Sequence, residues 1–215
     1  MPTMNAKSKV KPARLGVLLS GGGRTLLNML QEIEAGRLPA EVAVVIASRD
    51  CRGVERARAA GLAAHVVPYK SMPDAATYSA KLAAILDAAR VDLVCLAGFL
   101  SLWEIPDRYL GRVLNIHPAL LPRFGGQGMY GHHVHEAVLA AGCKISGCTV
   151  HFVTNEYDAG PIVVQKAVAV QEGDDADALA DRVFEQECVA YPEAIRLFAE
   201  GRLRIEGNVV HVSPA

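Results

Sequence analysis

The sequence predicts an α/β protein: a single domain on a mostly parallel, twisted sheet with helices on both faces. Three observations predict it. Short, continuously apolar runs alternate with segments whose apolar residues recur at helical spacing. The runs are apolar on both sides of the strand, as a parallel sheet covered on both faces requires. The chain has 215 residues, 51% of them apolar, which suits one self-sufficient core and excludes a disordered chain.

Taken in order, residues 14–19 (RLGVLL) read as a buried strand that ends in Ser20-Gly-Gly-Gly23. Leu26, Leu27, Leu30 and Ile33 then recur at helical spacing, and Gly36 stops that helix. Residues 41–48 form a second strand, an Arg- and Ala-rich helix ends at Gly61, and residues 64–67 form a short third strand. Residues 74–90 form a helix with Leu82, Ile85 and Leu86 inward. Its N-cap is Asp74, whose carboxylate accepts the free amides of the first turn. Residues 91–97 and 112–117 are the fourth and fifth strands. A Pro- and Gly-rich loop, 118–131, leads to a helix at 134–141. Strands follow at about 145–154 and 162–170, then a long helix at 174–200. The weak alternation of 203–212 suggests a hairpin. Crossovers between parallel strands are right-handed, and ligands of such sheets bind beyond the carboxyl ends of the strands. The architecture is therefore Rossmann-like.

The formal net charge is −1, but it is unevenly spread. Lys7, Lys9, Lys11 and Arg14 put +4 on the first 14 residues, leaving −5 on the rest (18 basic against 23 acidic). Residues 1–13 are expected to be a flexible basic tail and 14–215 the domain. An acidic body argues against a nucleic-acid partner. No apolar run reaches the roughly 20 residues of a membrane helix. The opening stretch has no apolar segment of a secretory leader. The five cysteines form no CxxC pair, which suits free thiols in a reducing cytoplasm.

Three segments at strand ends could carry chemistry. The first is Gly21, Gly22, Gly23, Arg24 and Thr25. Glycines let backbone approach a ligand closely, and free amides at a helix start attract an anion. No Gly-Lys-Ser/Thr follows, so this is not a Walker A loop, and Leu26 occupies the third glycine position of a GxGxxG. Arg49, after the second strand, keeps an NADP-dependent reductase as a rival, because a guanidinium there could meet a 2′-phosphate. The second is Asn115-Ile-His117-Pro118. Alternation puts Asn115 and His117 on one face, with an amide to donate to an oxyanion and an imidazole to move a proton. The third is His151-Phe-Val-Thr154, then Asn155-Glu-Tyr-Asp158-Ala-Gly-Pro161, where a strand runs into an acidic turn and Asp158 is a candidate partner for His117. A carboxylate in reach is expected to raise the imidazole's pKa. Taken singly, these segments are a tight turn, a structural Asn/His pair and an Asx turn. His132-His133-x-His135 lacks the i, i+4 pair and the Cys or carboxylate of a zinc site, so no metal is expected.

Together, Ser20-Gly-Gly-Gly, Leu96-Ala-Gly-Phe99, Asn115-Ile-His-Pro-Ala-Leu-Leu-Pro122, and Cys148-Thr-Val-His-Phe-Val-Thr154 through Asp158-Ala-Gly-Pro161 resemble the folate-dependent formyltransferases. Within them, the chain is most similar to the branch that formylates glycinamide ribonucleotide in purine biosynthesis. The resemblance runs from about Arg14 to about Arg204. It implies the formyltransferase fold, with Asn115, His117 and Asp158 as the catalytic trio. The glycine loop would hold the substrate phosphate, and Glu187 would contact the glycinamide. Folate would lie against Phe99, Leu100, Ser101 and Leu102 and against Asn155, Glu156 and Tyr157. The implied co-substrate is 10-formyltetrahydrofolate, with no metal, in a cytoplasmic monomer or homodimer. The sequence departs from the family pattern in three places. Arg24-Thr25 stand where Ser or Thr and then Asn are usual, Leu100-Ser101 where many members have Met-Arg, and Phe124–Gly131 where Tyr-Pro-Gly-Leu-His is common. Formyltetrahydrofolate hydrolases share the trio but carry an N-terminal regulatory domain, for which the residues before the first strand are too few. Transfer-RNA formyltransferases add a C-terminal RNA-binding domain, for which too few residues follow Gly201. Other small-molecule formyltransferases and a non-catalytic binding module on the same fold are the remaining alternatives.

Overall fold

The computed structural model describes residues 11–214. Five strands form the parallel part of the sheet: β1 (Ala13–Leu19), β2 (Ala40–Ala47), β3 (Ala64–Val66), β4 (Leu93–Leu96) and β5 (Val113–His117). Between them run α1 (Arg24–Glu34), α2 (Arg52–Ala59) and α3 (Ala75–Ala88). The Asp74 carboxylate caps α3, accepting from the Thr77 amide at 2.6 Å. The second half contains α4 (His132–Ala140), β6 (Ile145–Phe152), β7 (Ile162–Ala169), α5 (Ala176–Ala199) and the hairpin β8 (Leu203–Glu206) and β9 (Val209–Val212).

All nine strands form one sheet in the order β3-β2-β1-β4-β5-β6-β7-β9-β8. The order turns back between β1 and β4, so the crevice beyond the carboxyl ends of β1, β4 and β5 is the place for a ligand. β6 runs antiparallel to β5, and β7 antiparallel to β6. The apolar runs carry no information on strand direction, so only this half departs from parallel pairing.

Two cores form, one on each face. One gathers Leu15, Val17, Leu19, Leu114, Val150 and the inner faces of α1, α2, α4 and α5. The other gathers Leu18, Ile46, Val94, Val113 and the inner face of α3, with Trp103 and Tyr109 from the connection to β5. Neighbouring strand residues alternate between the two, the period of two expected for side chains on a pleated strand.

Most boundaries lie within a few residues of the sequence reading. The fourth helix begins at His132 rather than 134, because Gly131 (φ 55) turns the chain there. The expected basic tail falls almost wholly outside the described residues. Its last residue, Ala13, belongs instead to β1, where its amide donates to the Pro39 carbonyl at 3.0 Å. Among the described residues no helix is long and apolar enough to cross a membrane.

One hydrogen bond ties α5 to the middle of the sheet. The buried Tyr191 hydroxyl is shared between the carbonyls of Leu96 (3.0 Å) and Leu114 (2.9 Å), on the neighbouring strands β4 and β5. Tyr191→Phe leaves both carbonyls without that donor. It is expected to cost about 1–3 kcal/mol, or roughly 2–4 °C of Tm per kcal/mol in a chain of this size. Thermal melts of the two proteins check it, and an unchanged Tm would remove the hydroxyl from this role.

Candidate active site

The loop from β1 to α1 is fixed from behind. The Ser20 hydroxyl contacts that of Ser48 (2.6 Å) and accepts from the Leu100 amide (2.9 Å). The carbonyls of Ser20, Gly21 and Gly22 accept from Arg49 Nε (2.6 Å), the Gly53 amide (3.0 Å) and Arg56 Nη1 (2.6 Å). Arg49 is thus spent on the loop, which removes the role a reductase would give it. Gly23 has φ 73, and a Cβ there would lie 2.8 Å from Gly53 Cα, so only glycine lets α1 and α2 approach this closely. With the carbonyls engaged behind, the first amides of α1, which have no helical acceptor, remain for an anion on the cleft side.

Asn115 and His117 lie two apart on β5, on one face as expected. The antiparallel register sets Asn115 directly opposite His151 of β6. Asn115 Nδ2 donates to His151 Nε2 at 3.2 Å, while His151 Nδ1–H donates to the Phe152 carbonyl at 2.9 Å. The backbone contact fixes the ring so that Nε2 faces the Asn115 amide. One Asn115 N–H is therefore anchored and the other is free for a substrate oxygen.

The turn after β6 brings Asp158 to both imidazoles. Its Oδ2 lies 3.6 Å from His117 Nδ1 and its Oδ1 lies 3.5 Å from His151 Nε2. Asp158 adopts φ 51, a left-handed conformation that costs a non-glycine residue about 1–2 kcal/mol. Phe124 and Gly126 close the other side. His117 Nε2–H donates to the Phe124 carbonyl at 2.8 Å, and the Gly126 amide donates to Asp158 Oδ2 at 2.9 Å. Nδ1 is consequently the working nitrogen of His117, beside the carboxylate.

Burial pushes the Asp158 carboxyl up, but His151, His117 and the Gly126 amide outweigh it and hold the group below its ordinary value. His117 differs from expectation. Burial lowers its pKa by more than Asp158 and the Phe124 carbonyl raise it, and nearby His151 lowers it further. The ring is 3% exposed, and in so enclosed a place desolvation of the cation outweighs one carboxylate at 3.6 Å. Burial therefore favours the neutral form of His117.

Every residue singled out from the sequence for the site lines one cleft of about 520 Å³. At one end, Leu100 and Leu102 present exposed apolar surface. Asn155 joins the walls there, accepting from the Ile105 amide (2.8 Å) and donating to its carbonyl (3.4 Å). Its side chain is a brace between segments. At the other end, beside the glycine loop, is Glu187 on α5. Protein encloses it on most sides and pushes its carboxyl up to about 7, with the Arg24 charge opposing. The three clustered histidines diverge. His132 pairs with Asp177 (3.4 Å) and His133 with Glu136 (3.4 Å), while His135 is buried at the cleft wall, its Nδ1 without a hydrogen-bond partner among the described residues. Among the described residues no group of three or more His, Cys, Asp or Glu is arranged to hold a metal ion.

The sequence profile of the Formyl transferase family matches residues 13–195. The chain belongs to that family. It is 37% identical over 195 residues to the phosphoribosylglycinamide formyltransferase of Escherichia coli (strain K12), covering 89% of this chain and 90% of that protein. It is 39% identical over 206 residues to the trifunctional purine biosynthetic protein adenosine-3 of Drosophila pseudoobscura pseudoobscura. That match takes in 94% of this chain but 15% of the relative, so the chain spans a small part of such trifunctional proteins. The solved structure of glycinamide ribonucleotide transformylase 1 from Symbiobacterium toebii has a TM-score of 0.87 to this one, at 46% identity over 95% of each chain.

Reading the sequence placed His151 in the third segment but gave it no role beside the trio, where the structure brings it against Asn115 and Asp158. It lies inside the Cys148–Thr154 motif at the right parity, but its partner becomes evident only when β6 is paired with β5. Arg56, which holds the glycine loop from behind, was missed for the same reason, and Arg49, read as a possible 2′-phosphate contact, serves the Ser20 carbonyl instead.

Glu187 gives a pH signature. Its carboxyl titrates near 7 in the fold against about 4.3 in an unfolded chain. Below that lower value both states are protonated. As pH rises toward 7 only the unfolded state releases its proton, so stability is lost over that window. Allowing for water in the cleft, the loss is about 2 kcal/mol. Glu187→Gln cannot lose it. The Tm of the variant is expected to pull ahead of wild type as pH rises from about 4.5 to 7, and by a constant margin above. Equal pH dependence in the two proteins would show that the carboxyl is not perturbed.

Proposed function

We propose that this chain transfers the formyl group of 10-formyltetrahydrofolate to the amine of glycinamide ribonucleotide, a step of purine biosynthesis. The observation that carries the reading is the convergence of Asn115, His117 and Asp158 between a helix start suited to an anion, with the part-buried Glu187 carboxyl beside it, and an apolar wall. The names of the relatives agree with it. The folate ring system lies against Phe99, Leu100, Ser101 and Leu102 and the turn at Asn155, Glu156 and Tyr157. The nucleotide phosphate lies on the amides of Gly21 to Thr25, and Glu187 receives the glycinamide group. Five free cysteines, Cys51, Cys95, Cys143, Cys148 and Cys188, suit a reducing cytoplasm.

The chemistry follows from the placement of donors. The amine nitrogen attacks the formyl carbon, a C–N bond forms, and the carbonyl π electrons move to oxygen. The free Asn115 N–H and His117 Nδ1 flank that oxygen, in the manner of fixed donors aimed at developing charge. The neutral imidazole takes the amine's proton at Nδ1, directly or through water held by Asp158. The ring is then cationic when the oxyanion is present, with Asp158 beside it. The same proton is delivered to folate N10 as the carbon–N10 bond breaks. The products are formylglycinamide ribonucleotide and tetrahydrofolate. Holding both substrates in one cleft turns a bimolecular encounter into an intramolecular one.

Tetrahydrofolate release, followed by absorbance, tests the reading. Release only when glycinamide ribonucleotide is added is the expected result. Release without it assigns water as the acceptor and a hydrolase, and no release with either mixture rejects formyl chemistry. His117→Ala and Asp158→Ala are each expected to lower kcat about 10²–10³-fold, the size of losing one oxyanion or acid–base group, with circular dichroism unchanged. Near-normal turnover in either variant would overturn the role given to it.

A further inference from the structure

Arg24 stands where the family pattern has a small hydroxyl residue, and its side chain is engaged. It is the first residue of α1, so its backbone belongs to the anion-binding turn. Its guanidinium reaches away to α5, where Nη2 lies 3.1 Å from Asp181 Oδ1 and Cζ lies 3.9 Å from the Phe184 ring centre. Asp181, Phe184 and Glu187 follow at intervals of three and share one face of α5. Phe184 and Glu187 line the cleft together with the glycine loop, so the guanidinium is docked on the wall that faces the phosphate position.

That dock is built to let go. The Arg24 and Asp181 side chains are 56% and 73% exposed, and ion pairs so open to water are weak. The ring of Phe184 holds the flat guanidinium in place without satisfying its N–H donors. A phosphate monoester at the start of α1 offers two negative charges and a geometry that two parallel guanidinium N–H groups match. It competes favourably with a single exposed carboxylate for the same cation.

We propose that Arg24 is a retractable clamp for the phosphate monoester of the substrate, resting on Phe184 and Asp181 and drawn off Asp181 when phosphate binds the α1 amides. The inference rests on the reading that the nucleotide phosphate binds there. In the clamp, Asp181 is a competitor: it lowers the availability of Arg24 and thereby tunes affinity. Arg24 also serves as a nearby counter-charge to the enclosed Glu187 carboxyl, so a single side chain stands between the two groups that would recognise opposite ends of the phosphoribosyl glycinamide.

Calorimetric binding of inorganic phosphate tests this without turnover, using wild type, Arg24→Ser, Asp181→Asn and the double variant. Arg24→Ser is expected to weaken phosphate about tenfold and Asp181→Asn to tighten it about twofold, as the loss of a charge-assisted contact and of a weak competitor would do. The double variant should match Arg24→Ser, because Asp181 acts only through Arg24. The KM for glycinamide ribonucleotide should follow the same order, with KM changing more than kcat and the KM for the folate substrate unaffected. Unchanged phosphate affinity in Arg24→Ser overturns the clamp. Unchanged or weakened affinity in Asp181→Asn overturns the retraction. A wild-type chain that binds phosphate but does not formylate the nucleotide rejects the proposed activity and leaves the clamp to be decided by the binding arms. A wild-type chain that binds no phosphate rejects both.

Discussion

The Asp158 carboxylate is suspended between two buried imidazoles, 3.6 Å from His117 and 3.5 Å from His151, and the rest of the site is arranged around keeping it there. An enclosed charge is costly unless hydrogen-bonded and countered. Here the Gly126 amide donates to it, and the groups that enclose it come from three separate segments: β5, β6 and the loop around Phe124 to Gly126. Because the Gly126 amide binds the carboxylate and the Phe124 carbonyl binds His117, that loop sets both members of the pair at once. A Cβ at Gly125 would lie 3.1 Å from Asp158 Cβ and 2.5 Å from Leu121 Cδ2, so the glycine leaves room for the loop to close on the carboxylate.

The same arrangement explains why a neutral imidazole is useful. The surroundings of His117 exclude water and so favour its uncharged form. A ring already protonated would sit in a settled ion pair with Asp158 and offer less to a new negative charge. The low-dielectric enclosure that lowers its proton affinity in the resting site also strengthens its interaction with an oxyanion. One physical cause, burial, thus serves both the resting state and the transition state.

The charge arithmetic acquires a narrower meaning. Outside its first 14 residues the chain carries −5, yet the cleft is assigned two anionic substrates. Net charge does not speak for the proposed site, whose donors would be helix-start amides, which carry no formal charge, and a single arginine held on α5. The acidic body and the local anion site are compatible because one is a sum over the whole surface and the other is a matter of a few ångströms.

Much was legible in the chain itself. Burial periodicity placed the strands and helices, and Asp74 announced the start of α3 by its side-chain chemistry. Alternation put Asn115 and His117 on one face, and the glycine run marked the turn from β1 into α1 that lines the cleft. These are local properties, decided by neighbours in sequence and by the stereochemistry of each residue. The structure alone decided that β6 runs antiparallel to β5, and hence that His151 anchors Asn115. It also decided that Arg49 serves the Ser20 carbonyl, that Asn155 braces two walls, and that burial outweighs Asp158 in setting the charge on His117. Each of these depends on segments tens of residues apart meeting at hydrogen-bonding distance and on how completely they exclude water, and neither quantity is a property of any stretch of sequence taken by itself.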